Sequence, residues 1–298
     1  MSLSAVLTVC RLLHFGTCIF VFGASTFCLA LPRDTDASDA CGRLRVPIRY
    51  AAFGALLTSL LWLLCVAGSM MGSWQPVLEP QLIGAVLSQT EFGTAWSWHV
   101  GLSIIVLLLT LGTDPARQVG TAVASALLLA SIALTGHATM DPGALRFVHE
   151  GIDAAHLLAV GFWLGGLATL PALLTATAAQ PGETLSVLRR FSELGVAAVV
   201  VALATGIGNA LFIVRDWPRL LGSAYGEVLT VKVALVVALI GFACFNRFYL
   251  MPRLESQPRY SDWLRRSVWS ELALGGLILI AASALGTLAP PMSLPPAM

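Results

Sequence analysis

The sequence predicts an all-α membrane protein, a bundle of about eight transmembrane helices with both termini on the outer side. Hydrophobic residues make up 57% of the 298 residues and charged residues only 11%, whereas soluble domains carry about 25% charged residues. The mean hydropathy is +0.83. Eight apolar runs also reach the roughly 20 residues that a helix needs to cross a bilayer. We expect residues 1–298 to form a single integral-membrane unit.

The eight runs follow one another with short polar links. They cover approximately residues 4–30, 48–70, 93–112, 119–140, 150–174, 190–213, 228–250 and 266–289. Each must be a helix, because the bilayer offers no water to satisfy free backbone groups.

The first run is longer than the core of a signal peptide, which spans roughly 7–15 residues. It also contains Arg11 and His14, so we expect a retained first helix. The third, fourth and eighth runs are nearly uncharged, while the fifth, sixth and seventh carry Asp153, Glu193 and Lys232 near one end. Between the second and third runs, Val77–Gln89 is expected to lie as a short interfacial helix.

Arginines are distributed unequally between the two sets of links. Twelve lie in or beside the links that follow the first, third, fifth and seventh runs, against three in the opposite links. The positive-inside rule therefore places both termini outside.

Composition also excludes several classes of function. The net charge of +1 argues against a nucleic-acid partner. There is no GxxxxGK[ST] phosphate loop, so we expect no ATP-driven step. The six cysteines contain no CxxC pair, and five of them lie within apolar runs, so we expect no disulfide framework.

The predicted orientation places all five histidines toward the outer side. They are His14, His99, His137, His149 and His156. Methionines 70, 71, 140, 292 and 298 fall on the same side. Imidazole is costly in a membrane unless it binds or relays something, and imidazole with thioether suits copper, thioether favouring Cu(I).

Two helical stripes are the most specific patterns. His149, Asp153 and His156 share one helix face through their spacing of four and three residues. Asp153 would hold an imidazole tautomer or ligate the metal directly. In the first run, Cys10, His14 and Cys18 recur every four residues; buried cysteines without a metal are the alternative there.

His137 and Met140 form a further candidate pair at the end of the fourth run. His99 follows Trp96 and Trp98, so it is either a ligand or the polar tip of an aromatic belt. Within the eighth run, Glu271 is expected to form an ion pair with Arg247 or Arg266, with a proton site as the alternative.

Together these segments resemble the CopD family of bacterial inner-membrane copper resistance proteins over nearly the whole length. The matching segments are Arg11–His14, Phe92–Trp96, Gly136–Ala138, Ala155–Leu158, Phe162–Leu167, Thr205–Gly206 with Asn209, Tyr225–Lys232, and Asn246–Arg247 with Pro252.

The resemblance implies copper handling, or copper movement from the periplasm toward the cytoplasm, beside a periplasmic copper-binding CopC-like partner. It implies no enzymatic activity. From the residues, we expect copper to be captured by His99, His137 and His149 and then passed to His156 and Asp153. His14, with Cys10 and Cys18, would form the next site. The alternatives are a b-type haem protein with two axial histidines and a copper-binding scaffold that moves no metal.

Ligation requires neutral imidazole, so copper uptake is expected to weaken below a pH of about 6.5.

Overall fold

The computed structural model describes residues 3–71, 79–136, 143–214, 217–220, 222–254 and 259–289. These residues form α-helices with short 3₁₀ and π turns. The α-helices are α1 (Leu3–Ala30), α2 (Asp36–Met71), α3 (Pro80–Gln89), α4 (Glu91–Thr110), α5 (Pro115–Ser131), α6 (Ala144–Leu167), α7 (Leu170–Ala176), α8 (Pro181–Ile213), α9 (Trp217–Leu220), α10 (Ala224–Phe245) and α11 (Arg259–Leu285). Among the described residues, eight helical segments are long and apolar enough to span a membrane, which confirms the predicted fold class.

Helix α1 is the centre of the bundle. It packs against α2, α5, α6 and α11, and Cys18, Val21, Ala24 and Phe27 on it have no exposed surface. By contrast, α8 and α10 expose long rows of valine and leucine, as lipid-facing helices do. The buried face of α1 is therefore shielded from both water and lipid.

Glycines set the crossing of α1 and α6. A Cβ placed on Gly165 would lie 2.1 Å from the carbonyl oxygen of Ile19 and 2.8 Å from the Cα of Gly23. A side chain at Gly165 would therefore collide with the backbone of α1, and the close approach of the two helices requires glycine at this position.

Polar side chains satisfy the helix ends at one end of the bundle. Arg49 donates to the Thr110 carbonyl at the end of α4, and Arg190 donates to the Ala30 carbonyl at the end of α1. Glu183 accepts from the backbone N–H of Ala37 near the start of α2. These contacts match the charge preferences of helix termini.

A disulfide joins Cys28 to Cys41, with the two Cα atoms 5.8 Å apart. The expectation that the cysteines build no disulfide framework was therefore wrong for this pair. The reason is tertiary: α1 and α2 run antiparallel, which brings the last turn of one beside the first turns of the other. No local spacing motif encodes that approach.

Within the predicted segment Val77–Gln89, residues Pro80–Gln89 form helix α3, and its position at the membrane interface stays a prediction. Arg146 connects the neighbouring helices by donating to Glu91 on α4 at 2.9 Å and to Glu150 on its own helix at 2.8 Å.

Candidate metal centre

Two histidines meet at the centre of the bundle. His14 on α1 and His99 on α4 have no exposed surface. Their Nε2 atoms lie 2.9 Å apart. The aromatic-belt interpretation of His99 thus does not fit, since its ring faces another imidazole rather than the membrane surface.

Two hydroxyl groups fix the tautomer of each ring. The Thr58 hydroxyl donates to a carbonyl of its own helix at 2.7 Å, so its oxygen accepts from His14 Nδ1 at 2.8 Å. The Ser131 hydroxyl also donates within its helix at 2.7 Å and accepts from His99 Nδ1 at 2.8 Å. Because each neutral imidazole carries one proton, both Nε2 atoms present lone pairs to each other.

Sulfur atoms lie beside this histidine pair. Cys18 Sγ is 3.4 Å from His14 Nε2. Cys10 Sγ donates to the carbonyl of Thr58 at 3.4 Å. The stripe predicted along α1 therefore forms one buried face, with Cys18 at the pair and Cys10 about one helical turn away.

Tryptophans enclose the pair. Trp96 stacks on His99 with ring centroids 4.4 Å apart and donates through Nε1 to the Ser59 carbonyl at 2.9 Å. Trp62 meets His14 edge-on at 5.5 Å. These contacts hold the two imidazoles in place.

The second predicted stripe lines a separate cavity of about 400 Å³ among α1, α6, α8, α10 and α11. His149, Asp153 and His156 all line it, as their spacing on one face of α6 predicted. Trp62 lines it as well, so this indole is the wall between the cavity and the histidine pair.

The polar groups of this cavity have defined partners. His156 Nδ1 donates to the Ala202 carbonyl at 3.0 Å, which leaves its Nε2 as a lone-pair donor. Asp153 accepts from Asn209 Nδ2 at 3.0 Å. The expectation that Asp153 holds an imidazole tautomer was therefore wrong for His156, because a backbone carbonyl of α8 takes that role.

Two basic side chains also line the cavity. Arg11 lies with its guanidinium carbon 4.7 Å from the centre of the Trp62 ring, and Lys232 reaches the cavity from α10. Neither forms a salt bridge with Asp153 within 4.0 Å among the described residues. Positive charge in this cavity opposes the accumulation of free cations, so any affinity for a metal ion has to come from direct ligation by the Asp153 carboxylate or the imidazole nitrogens.

Two predicted ligands, His137 and Met140, lie outside the described residues. Met70 is about half exposed. Within the described ranges, no group of three or more His, Cys, Asp or Glu side chains is arranged to hold a metal ion. The densest donor set is the pair of histidines with Cys18 beside it.

Sequence reasoning missed the two hydroxyl partners, Thr58 and Ser131. Each lies within an otherwise apolar run, which is a weak signal for a buried hydrogen-bonding role. It also missed Trp62, since a tryptophan within an apolar run ordinarily indicates packing.

Two family models match most of the chain. Residues 1–147 match the model described as copper resistance protein D-like, N-terminal domain, and residues 185–285 match the model for copper resistance protein D. No solved structure matches the chain.

Three relatives of known name are similar in sequence. Inner membrane protein YebZ of Escherichia coli is 32% identical, over 94% of this chain and 97% of its own length. Copper resistance protein D of Pseudomonas syringae is 29% identical, over 92% and 93%. Copper transport protein CutJ of Bacillus subtilis is 31% identical, and the aligned region covers 74% of this chain and 41% of the length of CutJ.

Two of these relatives are named for copper resistance or copper transport, none is named for an enzymatic reaction, and together with the family models they support a role in copper handling. Together with the eight apolar helices, they identify a multi-pass inner-membrane protein. The chain belongs to the copper resistance protein D family.

Proposed function

We propose that this protein moves copper ions across the inner membrane from the periplasm toward the cytoplasm, with His14 and His99 as the central binding site. The observation that carries this proposal is the approach of two Nε2 lone pairs to 2.9 Å, where hydroxyl groups already occupy both Nδ1 atoms. Two lone pairs at this distance repel each other unless a cation lies between them. A proton or a metal ion provides that cation.

Copper(I) suits the donor set. Two imidazole nitrogens on opposite sides of one ion are about 4 Å apart, given metal–nitrogen bonds of about 2 Å. Binding therefore requires the two Nε2 atoms to move apart by roughly 1 Å. The sulfur of Cys18 beside His14 favours the softer Cu(I) over harder cations.

The cavity along α6 provides a route to the pair. His149, Asp153 and His156 line this space, and Trp62 separates it from His14. In our proposal, His137 and Met140 take part in capture at the outer face. Copper then passes the lone pair of His156 and crosses beside the Trp62 indole.

A periplasmic copper-binding protein of the CopC type would deliver the ion. The arginine distribution supports an outer location of the capture residues, because the positive-inside rule predicts from it that both chain termini lie in the periplasm. Successive sites must also bind loosely enough to release the ion to the next.

Copper entry into liposomes tests the proposal. Purified protein is reconstituted into liposomes that enclose a fluorescent Cu(I) chelator, and Cu(I) is then added to the outside solution. We expect entry with the unchanged chain and its loss in His14→Ala and His99→Ala. Ser97→Ala, on the same helix as His99 but bonded only within that helix, should leave entry intact.

Entry that persists at the same rate in both histidine variants would refute a central role for the pair. Copper binding without entry would support the scaffold alternative, and a Soret absorption band would support the haem alternative.

A further inference from the structure

Glu271 on α11 is a carboxyl group buried inside the membrane bundle, with only 3% of its surface exposed. The expected ion pair with Arg247 or Arg266 is not observed. Arg247 donates instead to the Ser192 hydroxyl on α8. A carboxylate in such a place needs strong compensation or must be neutral.

Its observed partner is an amide. Asn246 is 9% exposed and begins a π-helical turn, Asn246–Leu250, at the end of α10. The Asn246 Nδ2 group donates to Glu271 Oε1. The Asn246 Oδ1 atom is buried and has no hydrogen-bond partner. Single-turn π segments occur frequently at functional sites.

Protonation of Glu271 removes the uncompensated charge and also gives the Asn246 Oδ1 atom a hydrogen-bond donor. The Glu271 O–H group can donate to Asn246 Oδ1 while Asn246 Nδ2 donates to Glu271 Oε1, which closes a ring of two hydrogen bonds between an acid and an amide. An ionised Glu271 has no proton to donate, so Asn246 Oδ1 stays unpaired beside an uncompensated charge.

We propose that Glu271 and Asn246 form a proton-binding site that exchanges its proton with water at the α10–α11 end of the bundle. This site is distinct from the histidine pair and does not depend on copper. A buried carboxyl that takes up and releases a proton is what a proton-linked step in a membrane protein requires.

A cavity of about 300 Å³ provides the path. The titratable groups that line it are Glu271, Arg247 and Cys244, and its lining residues from α6, α7 and α8 carry no charge. A second pocket of about 270 Å³ shares Arg247 and Ser192 with the first. It adds Arg189 and Glu193, so the path continues from Glu271 past Arg247 to the protein surface.

Infrared spectroscopy of the protein in lipid nanodiscs tests this site without any metal. A protonated carboxylic acid has a C=O stretching band that a carboxylate lacks. We expect this band at neutral pH and its loss in Glu271→Gln, whose amide can keep both hydrogen bonds to Asn246. Glu227→Gln, which removes an exposed carboxyl at the other end of α10, should retain the band.

Two further measurements complete the test. Asn246→Ala should shift the band without removing it, because the carbonyl loses its hydrogen-bond donor. Transfer to heavy water should also shift the band, because the proton exchanges through the cavity. Identical spectra of the unchanged chain and Glu271→Gln would overturn the proton site, and a band unmoved by heavy water would overturn the exchange path.

Discussion

At the scale of single residues, two hydroxyl groups decide what the histidine pair can do. Thr58 and Ser131 occupy the Nδ1 atoms of His14 and His99, so the Nε2 atoms are left as ligands. Without these hydroxyls, either ring could turn its protonated nitrogen toward the other and form an ordinary hydrogen bond.

Removing one hydroxyl should weaken copper binding. We expect Ser131→Ala to lower Cu(I) affinity by about 10–100-fold, the usual effect of removing a partner that orients a metal-binding histidine. Competition with a Cu(I) chelator measures this affinity. Ser97→Ala should bind as tightly as the unchanged chain; equal affinity in Ser131→Ala would show that the hydroxyl does not set the tautomer.

At this scale, the sequence predicted which candidate ligands share one face of a helix. His149, Asp153 and His156 line one cavity, and Cys10, His14 and Cys18 share one buried face, because α-helical periodicity alone fixes which residues share a face. The sequence did not predict the contact between His14 and His99, since this contact depends on how α1 and α4 pack. The partner of Glu271 was missed for the same reason: the π turn that directs Asn246 inward has no local signal.

At the scale of elements, the crossing of α1 and α6 fixes the position of the histidine pair relative to the cavity. Helix α1 carries His14 and Arg11, and α6 carries the residues that line the cavity. Their backbones touch where Gly23 on α1 meets Gly161 and Gly165 on α6. Any increase in side-chain volume there must push the helices apart.

Gly165→Ala should therefore destabilise the protein by about 1–3 kcal/mol, as overpacking does. Gly16→Ala is the matched control on α1, where a Cβ meets nothing within 4 Å, and it should be neutral or slightly stabilising. The midpoint of thermal unfolding in detergent reports both effects. If Gly165→Ala has the same midpoint of thermal unfolding as the unchanged chain, the two helices can move apart to accommodate the added methyl group, and the prediction is wrong.

At the scale of the whole molecule, composition and apolar runs predicted the eight membrane helices because hydropathy over about 20 residues is sufficient to define a span. The single-unit organisation and the orientation of the bundle stay predictions. The orientation rests on the arginine count, with twelve in the links assigned inside and three outside.

Labelling of introduced cysteines tests the orientation. In a chain whose six native cysteines are replaced, a membrane-impermeant maleimide should label Gly222→Cys in intact cells but not Thr113→Cys. Thr113 lies in the α4–α5 link, which is next to Arg117 in the first turn of α5 and is assigned to the cytoplasm. The opposite labelling pattern would show that the bundle has the inverse orientation, and the proposed direction of copper movement would be reversed with it.

The pair Cys28 and Cys41 offers an independent check. The arginine count predicts that the α1–α2 link lies in the cytoplasm, where cellular thiols keep cysteines reduced. A cytoplasmic link therefore predicts that a permeant maleimide alkylates both residues in intact cells, whereas the disulfide observed between them predicts that neither residue reacts until a reductant is added. A bond that persists in unstressed cells would place this link in the periplasm and contradict the predicted orientation.

The complete burial of His14 and His99 has a consequence for selectivity. Any ion that reaches them must first leave its hydration shell behind, because rings without exposed surface admit no accompanying solvent. Monovalent copper holds its shell less tightly than small divalent ions such as magnesium, which dehydrates reluctantly. Discrimination between cations would then arise from the cost of removing water beside Trp62, before the ion reaches His14 and His99.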